Sequence, residues 1–194
     1  MDDIFSVAGE VSKQLLASGF TPAAIGDTLR KVGGALRVDR VYIFENGINA
    51  SGALCCSQRF EWSAASVSAQ IDNPELQDLA YSDFGSIWVE LLSNDRELCG
   101  PTRTMDASTR AVLEAQDVKS ILVCPITLGD KWWGFVGFDD CHRERSWAHE
   151  EIAVLKMLAR ALGGALRQGK LRQVLLDARS QLESVAKRFG QTNK

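Results

Sequence analysis

The chain has 194 residues, of which 45% are hydrophobic and 24% charged, with a formal net charge of −3. That composition describes a globular chain with room for one ordinary domain and some extension, and it excludes disorder. The small negative charge gives no general attraction to nucleic acid or to an anionic membrane, and no run reaches the ~18 apolar residues of a membrane helix.

The opening residues, MDDIFSVAGEV, carry acids where a secretory signal carries bases, so a cytoplasmic location is expected. The five cysteines agree with this: their number is odd, Cys55 and Cys56 are adjacent, and no Cys-x-x-Cys spacing occurs. Residues 2–17 read as a helix with Ile4, Ala8, Val11 and Leu15 on one stripe and Phe5 and Leu16 beside it. A second helix starts after Thr21, an N-cap residue followed by Pro22 at the first helical position. VDRVYIFENG is β-rich and closes on Asn46-Gly47, a turn signal, with ALCCSQRFEW as the expected partner strand. A partly helical stretch leads to a helix over FGSIWVELLSND, a short strand at RELCG and a helix around DASTRAVLEAQ. The strand pair SILVCPITL and KWWGFVGFDD turns at Gly129-Asp130, and a long helix runs from about Trp147 to Phe189. This order predicts an α+β domain around an antiparallel sheet.

SILVCPI is apolar almost throughout, so both faces of its sheet are expected to be covered. Strict alternation in the next strand puts Trp133, Phe135, Gly137 and Asp139 on one face and Trp132, Gly134, Val136, Phe138 and Asp140 on the other. The final helix carries one stripe for its own sheet (Ile152, Leu155, Ala159, Leu162, Leu166) and a second (Val154, Met157, Ala161, Gly164) that needs another surface. Leu171, Leu175, Ala178, Leu182, Val185 and Phe189 then follow 4-3-4-3-4 spacing, a coiled-coil seam. Counting back in sevens joins that seam to the second stripe. At 1.5 Å per residue the helix extends roughly 65 Å, longer than one domain requires. A homodimer is expected; the alternative is a lone helix folded back on its own domain.

The chemistry-bearing residues argue against an active site. Asp139 and Asp140 fall on opposite faces, so they cannot share a metal or work as an acid–base pair; they are expected to cap the next turn or pair with Arg143 and Arg145. His142 and His149, the two histidines, lack a ligand set for zinc or haem. Cys124 is expected to pack against helices, and Cys55, Cys56 and Cys99 to lie in the core. No cysteine is expected to be catalytic or disulfide-bonded.

VDRVYIFEN, QIDNPELQ, SILVCPI and above all WWGFVGFDDCHRERSW with EEIAVLKMLARALGGAL resemble a GAF domain, of the kind found in bacterial sensor histidine kinases and diguanylate cyclases. The resemblance covers roughly residues 21–166, with residues 1–20 as a dimer-forming N-terminal helix and 167–194 as a coiled-coil signalling helix. It implies six antiparallel strands, the terminal helices on one face and a possible ligand pocket on the other. It implies a regulatory sensor that binds an unknown small molecule and signals through its helices to an output domain; the alternatives are a non-binding dimerisation scaffold and a free methionine sulfoxide reductase-like enzyme. Bilin-binding relatives carry their attachment cysteine in the region read here as STRAVLEAQDVK, which has none, so a covalent bilin is not expected. Carrying over alternate positions from those relatives gives Tyr42, Phe44, Ile121, Val123, Phe135 and Asp139 as pocket residues, with Phe84 and Trp88, four apart on one expected helix, as their cover. The alternative is that these aromatics fill a closed core. Asp139 discriminates, because an inward carboxylate needs a partner.

Overall fold

The computed structural model describes the backbone of residues 4–191 and the side chains of residues 4–183. Helices α1 (Ile4–Ser18) and α2 (Pro22–Leu36) precede strands β1 (Arg40–Ile48) and β2 (Leu54–Ser63). A two-residue strand β3 (Leu79–Ala80) runs into the short helices α3 (Tyr81–Phe84) and α4 (Ser86–Leu92). Then follow β4 (Leu98–Pro101), α5 (Ala107–Glu114), β5 (Ser120–Leu128), β6 (Lys131–Asp140) and α6 (His149–Gln191). The strands form one antiparallel sheet in the order β3-β2-β1-β6-β5-β4.

The sheet separates two apolar clusters. On one side α1, α2 and the first half of α6 bury Val11, Leu15, Leu29, Leu155 and Leu162 against Val41, Ile43, Leu122, Val136 and Phe138. On the other side α3, α4 and α5 cover Tyr42, Phe44, Val123 and Phe135. Every residue from Ser120 to Ile126 is buried, as continuous apolarity in a central strand requires. Thr21 caps α2, its Oγ1 accepting from the Ala24 amide at 3.4 Å.

Several local expectations give way to tertiary pairing. β1 does not end at Asn46-Gly47; those residues pair with Cys56 and Cys55, and the reversal comes at Asn49–Gly52. Asn49 Oδ1 accepts from the amides of Ser51 and Ala53, which closes the turn there. The single helix expected over FGSIWVELLSND is two helices broken at Gly85, whose φ of +125° is a glycine conformation; a Cβ there would lie 2.6 Å from Thr109 Oγ1. Trp132 and Trp133 exchange faces relative to strict alternation. Ile126 pairs with Gly134 but Thr127 with Trp132, so Trp133 is an inserted residue, and the bulge turns it toward α1 and α2 while Trp132 joins Phe135. Cys99 is exposed, not core, because β4 is an edge strand.

The two stripes of α6 also need adjustment. Val154 is buried with the first stripe, so the outward stripe begins at Met157. A straight helix drifts about 20° per heptad, and over three heptads that rotates Val154 onto the sheet. Beyond residue 166 the described side chains are exposed, Leu171, Leu175 and Leu182 to 60%, 62% and 71%. Val185 and Phe189, the last two seam positions, lie outside the described side chains.

Phe138 is fully buried where β6 meets β1, β5 and the helical layer. Phe138→Ala is expected to lower stability by about 3–5 kcal/mol, read from urea denaturation midpoints at unchanged slope.

Candidate functional site

The cavity lies between the sheet and its second helical layer. Its floor is laid by alternate residues of β1 and β6, which bring Tyr42, Phe44, Phe135 and Asp139 to one face. Phe44 and Phe135 stack at 4.8 Å with rings 10° apart. Trp88 tilts over Phe135 at 5.4 Å and Phe84 meets Trp88 edge-on at 5.1 Å. Thr109 of α5 locks this roof: its hydroxyl donates to the Phe84 carbonyl at 2.7 Å and accepts from Trp88 Nε1 at 3.1 Å. The space left is small, about 40 Å³. Three times the minimum for one water is roughly what such a volume holds.

One end of the cavity is polar. Tyr42 donates its hydroxyl to Asp139 Oδ1 at 2.8 Å, its ring crossing Gly137 of β6, where a Cβ would lie 2.4 Å from the ring. Arg40, 2% exposed, lies 3.6 Å from Asp139 Oδ2 and 3.8 Å from Glu61 Oε1, and donates to the carbonyls of Ser68 and Gln116. Glu61 Oε2 accepts from the amides of Gln70 and Ile71, tying the loop after β2 to the sheet. Burial raises the Asp139 carboxyl to about 7, against the opposing pull of Arg40 and the Tyr42 hydroxyl. Tyr42 is raised too, by burial and then by the neighbouring carboxylate.

The GAF domain model matches residues 23–166. The chain belongs to the GAF family. It is 40% identical over 182 residues to the methanogenesis regulatory histidine kinase FilI of Methanothrix harundinacea (strain 6Ac), covering 94% of this chain and 20% of that protein. Among solved structures it is similar to the phycocyanobilin-bound GAF domain from a cyanobacterial phytochrome, with a TM-score of 0.71 at 20% identity over 89% of this chain and 98% of that one. The phycoerythrobilin-bound GAF domain from a cyanobacterial phytochrome gives 0.70 at 21% identity, over 89% and 99%. At these identities the structural likeness establishes the fold.

Within this GAF fold, six of the eight residues expected at the pocket line the cavity: Tyr42, Phe44, Phe84, Trp88, Phe135 and Asp139. Ile121 and Val123 belong to the same apolar cluster but do not reach the space. Phe84 and Trp88 do not share a helix; the break at Gly85 separates them and their rings still touch. Asp139 and Asp140 part as alternation requires, but only Asp140 serves the following turn, accepting from the amides of His142 and Arg143 and from Arg143 Nε. Burial opposes ionisation of Asp140, yet the Arg143 and backbone hydrogen bonds hold it below the ordinary carboxylate range. Arg40, Gln58 and Glu61 were not singled out by the sequence. Arg40 was within reach, two positions before Tyr42; Gln58 and Glu61 are three apart and share a face only because of a bulge.

Asp39, Asp140 and His142 each bring a ligand-type atom within 4.8 Å of the others. Arg143 and Arg145 already lie against Asp140, so a metal ion there would meet two guanidinium groups. Burial pushes the thiols of Cys56 and Cys124 up to about 12, which keeps both protonated and weak as nucleophiles.

Because folded Asp139 holds its proton to about pH 7 and an unfolded aspartate loses it near 3.8, its stabilising contribution is present below pH 4 and disappears as pH rises toward 7. Asp27 and Asp106, lowered to about 2 mainly by side-chain hydrogen bonds, act below pH 4 with the opposite slope, so the windows separate. Asp139→Asn is expected to remove the decline between pH 4 and 7, measured as denaturation midpoint against pH; an unchanged profile counts against a buried, proton-holding Asp139.

Proposed function

We propose that residues 21–166 are a sensory GAF module that binds a small molecule between the sheet and α3–α5, and that two copies pair along α1 and α6 to pass the signal to an output domain such as a histidine kinase or diguanylate cyclase. In this reading residues 1–20 assist dimerisation and 167–194 form the coiled-coil signalling helix. The observation that carries it is α6: one unbroken helix packs Leu155, Leu158 and Leu162 into the core and then exposes Leu171, Leu175 and Leu182. Leu16 of α1 and Gly164 and Leu171 of α6 line a single open groove, so both helices would contribute to one interface. The kinase relative supports a regulatory setting for such a module, of which this chain spans 20%.

Asp140 offers the route between pocket and helix. It adjoins Asp139 and faces Arg145, which donates to the Leu36 carbonyl at the end of α2 and pairs with Glu151 in the first turn of α6. A shift of β6 under a ligand would therefore reach both helices.

The small cavity, about 40 Å³, argues against a bilin of the kind that the fold neighbours hold. That same volume favours the second reading, a GAF scaffold that dimerises without a ligand. A methionine sulfoxide reductase has less support, since Cys124 is buried with its thiol raised to about 12.

Native mass spectrometry of the purified chain is expected to give a dimer carrying extra mass that denaturation releases. Leu175→Lys combined with Leu182→Lys is expected to give a monomer, because like charges would face each other across the seam. A dimer without retained mass favours the scaffold, and a monomeric unmodified chain removes the signalling reading.

A further inference from the structure

The polar end of the cavity has hydrogen-bonding capacity that the fold leaves unused. Along β2, Phe44 pairs with Gln58 but Ile43 with Phe60, which makes Arg59 the inserted residue of a bulge. The bulge brings Gln58 and Glu61 to the same cavity, although strict alternation would put them on opposite faces. Gln58 is 4% exposed and the Glu61 side chain 2%. Gln58 Oε1 and Glu61 Oε1 accept no hydrogen bond; the approach of Arg40 Nε to Glu61 Oε1, at 3.8 Å, is an ion-pair distance but too long for one. A sealed acceptor without a donor costs about 1–3 kcal/mol, so two on one wall are a standing demand for N–H or O–H groups.

The surrounding charges narrow the class. Arg40 has two ion-pair partners, Glu61 and Asp139, so a cationic ligand would meet the guanidinium and an anionic one would meet two carboxyl groups. A neutral ligand that both donates and accepts meets neither objection. The rings of Phe44 and Phe135, stacked on each other beside this end, form an apolar wall that suits a short apolar tail. The volume of about 40 Å³ admits only a few heavy atoms.

We propose that the cavity recognises a small, planar, uncharged primary amide or urea-type group, its NH₂ donating to Gln58 Oε1 and Glu61 Oε1 and its carbonyl accepting from Arg40. This rests on the reading of the cavity as the sensory site, and it specifies which chemistry that site selects.

Propionamide, 2-butanone and propionate are near-isosteres whose heads respectively donate and accept, only accept, or carry negative charge. In ligand-observed NMR titrations of the full chain, propionamide is expected to bind at least about ten-fold more tightly than the other two, the effect of leaving one buried acceptor unpaired. Gln58→Leu, with folding checked by circular dichroism, is expected to cut the preference for propionamide over 2-butanone several-fold, Glu61 Oε1 retaining the remainder. Comparable binding of 2-butanone or propionate to the unmodified chain overturns the amide assignment while leaving a binding cavity. Absence of binding by all three overturns the assignment as well, and retained mass in the native spectrum then tells whether the sensory reading survives it. The comparison on the unmodified chain decides the matter even if Gln58→Leu fails to fold.

Discussion

Two consecutive carboxylates, Asp139 and Asp140, are buried at the end of β6 and point to opposite faces of one sheet. An unpaired buried charge costs several kcal/mol, so each face must supply partners. On the cavity face these are the Tyr42 hydroxyl and Arg40, with the carboxyl itself pushed toward neutrality by burial. On the helix face they are Arg143, Arg145 and the amides of the following turn. Much of the local arrangement follows from that division. Gly137 leaves room for the Tyr42 ring, and Arg145 ties the end of α2 to the start of α6. The residue that lines the cavity and the residue that anchors the helices are neighbours on one strand.

The sheet reaches this arrangement through two departures from regular pleating. The insertion at Trp133 lets one tryptophan pack beside Phe20 and the other beside Tyr81. The insertion at Arg59 turns Glu61 into the cavity, where it meets Arg40 and the loop amides of Gln70 and Ile71. The Arg59 bulge interrupts long regular pairing on both sides, whereas the Trp133 bulge sits two pairs from the β5–β6 turn. Both change which chemistry a face presents, which is how a sheet acquires a polar corner without losing its apolar floor.

Helix α6 meets two environments in succession. Its first half is buried by its own domain, while the described second half keeps Leu171, Leu175 and Leu182 exposed as an apolar seam. The GAF fold accounts for the first half, and the proposed pairing of two chains accounts for the second.

The sequence by itself determined the family, the antiparallel sheet, the long final helix and the face on which Tyr42, Phe44, Phe135 and Asp139 lie. The sheet and the helix rest on local capping and on periodicity that persists over many residues, as in SILVCPI and the leucines of α6, whereas the family and the pocket face came from the resemblance of motifs such as WWGFVGFDDCHRERSW. Tertiary structure decided the turn at Asn49–Gly52, the break at Gly85, the faces of Trp132 and Trp133, and the joining of Gln58 and Glu61 with Arg40. The two-residue strand β3 was also invisible beforehand, being too short for a period and held by its pairing with Cys55 and Cys56. Apart from the turn that Asn49 closes locally, the deciding energy lies in contacts between different elements of the fold. A single inserted residue then reverses every side chain beyond it, and alternation carries no sign of where that insertion falls.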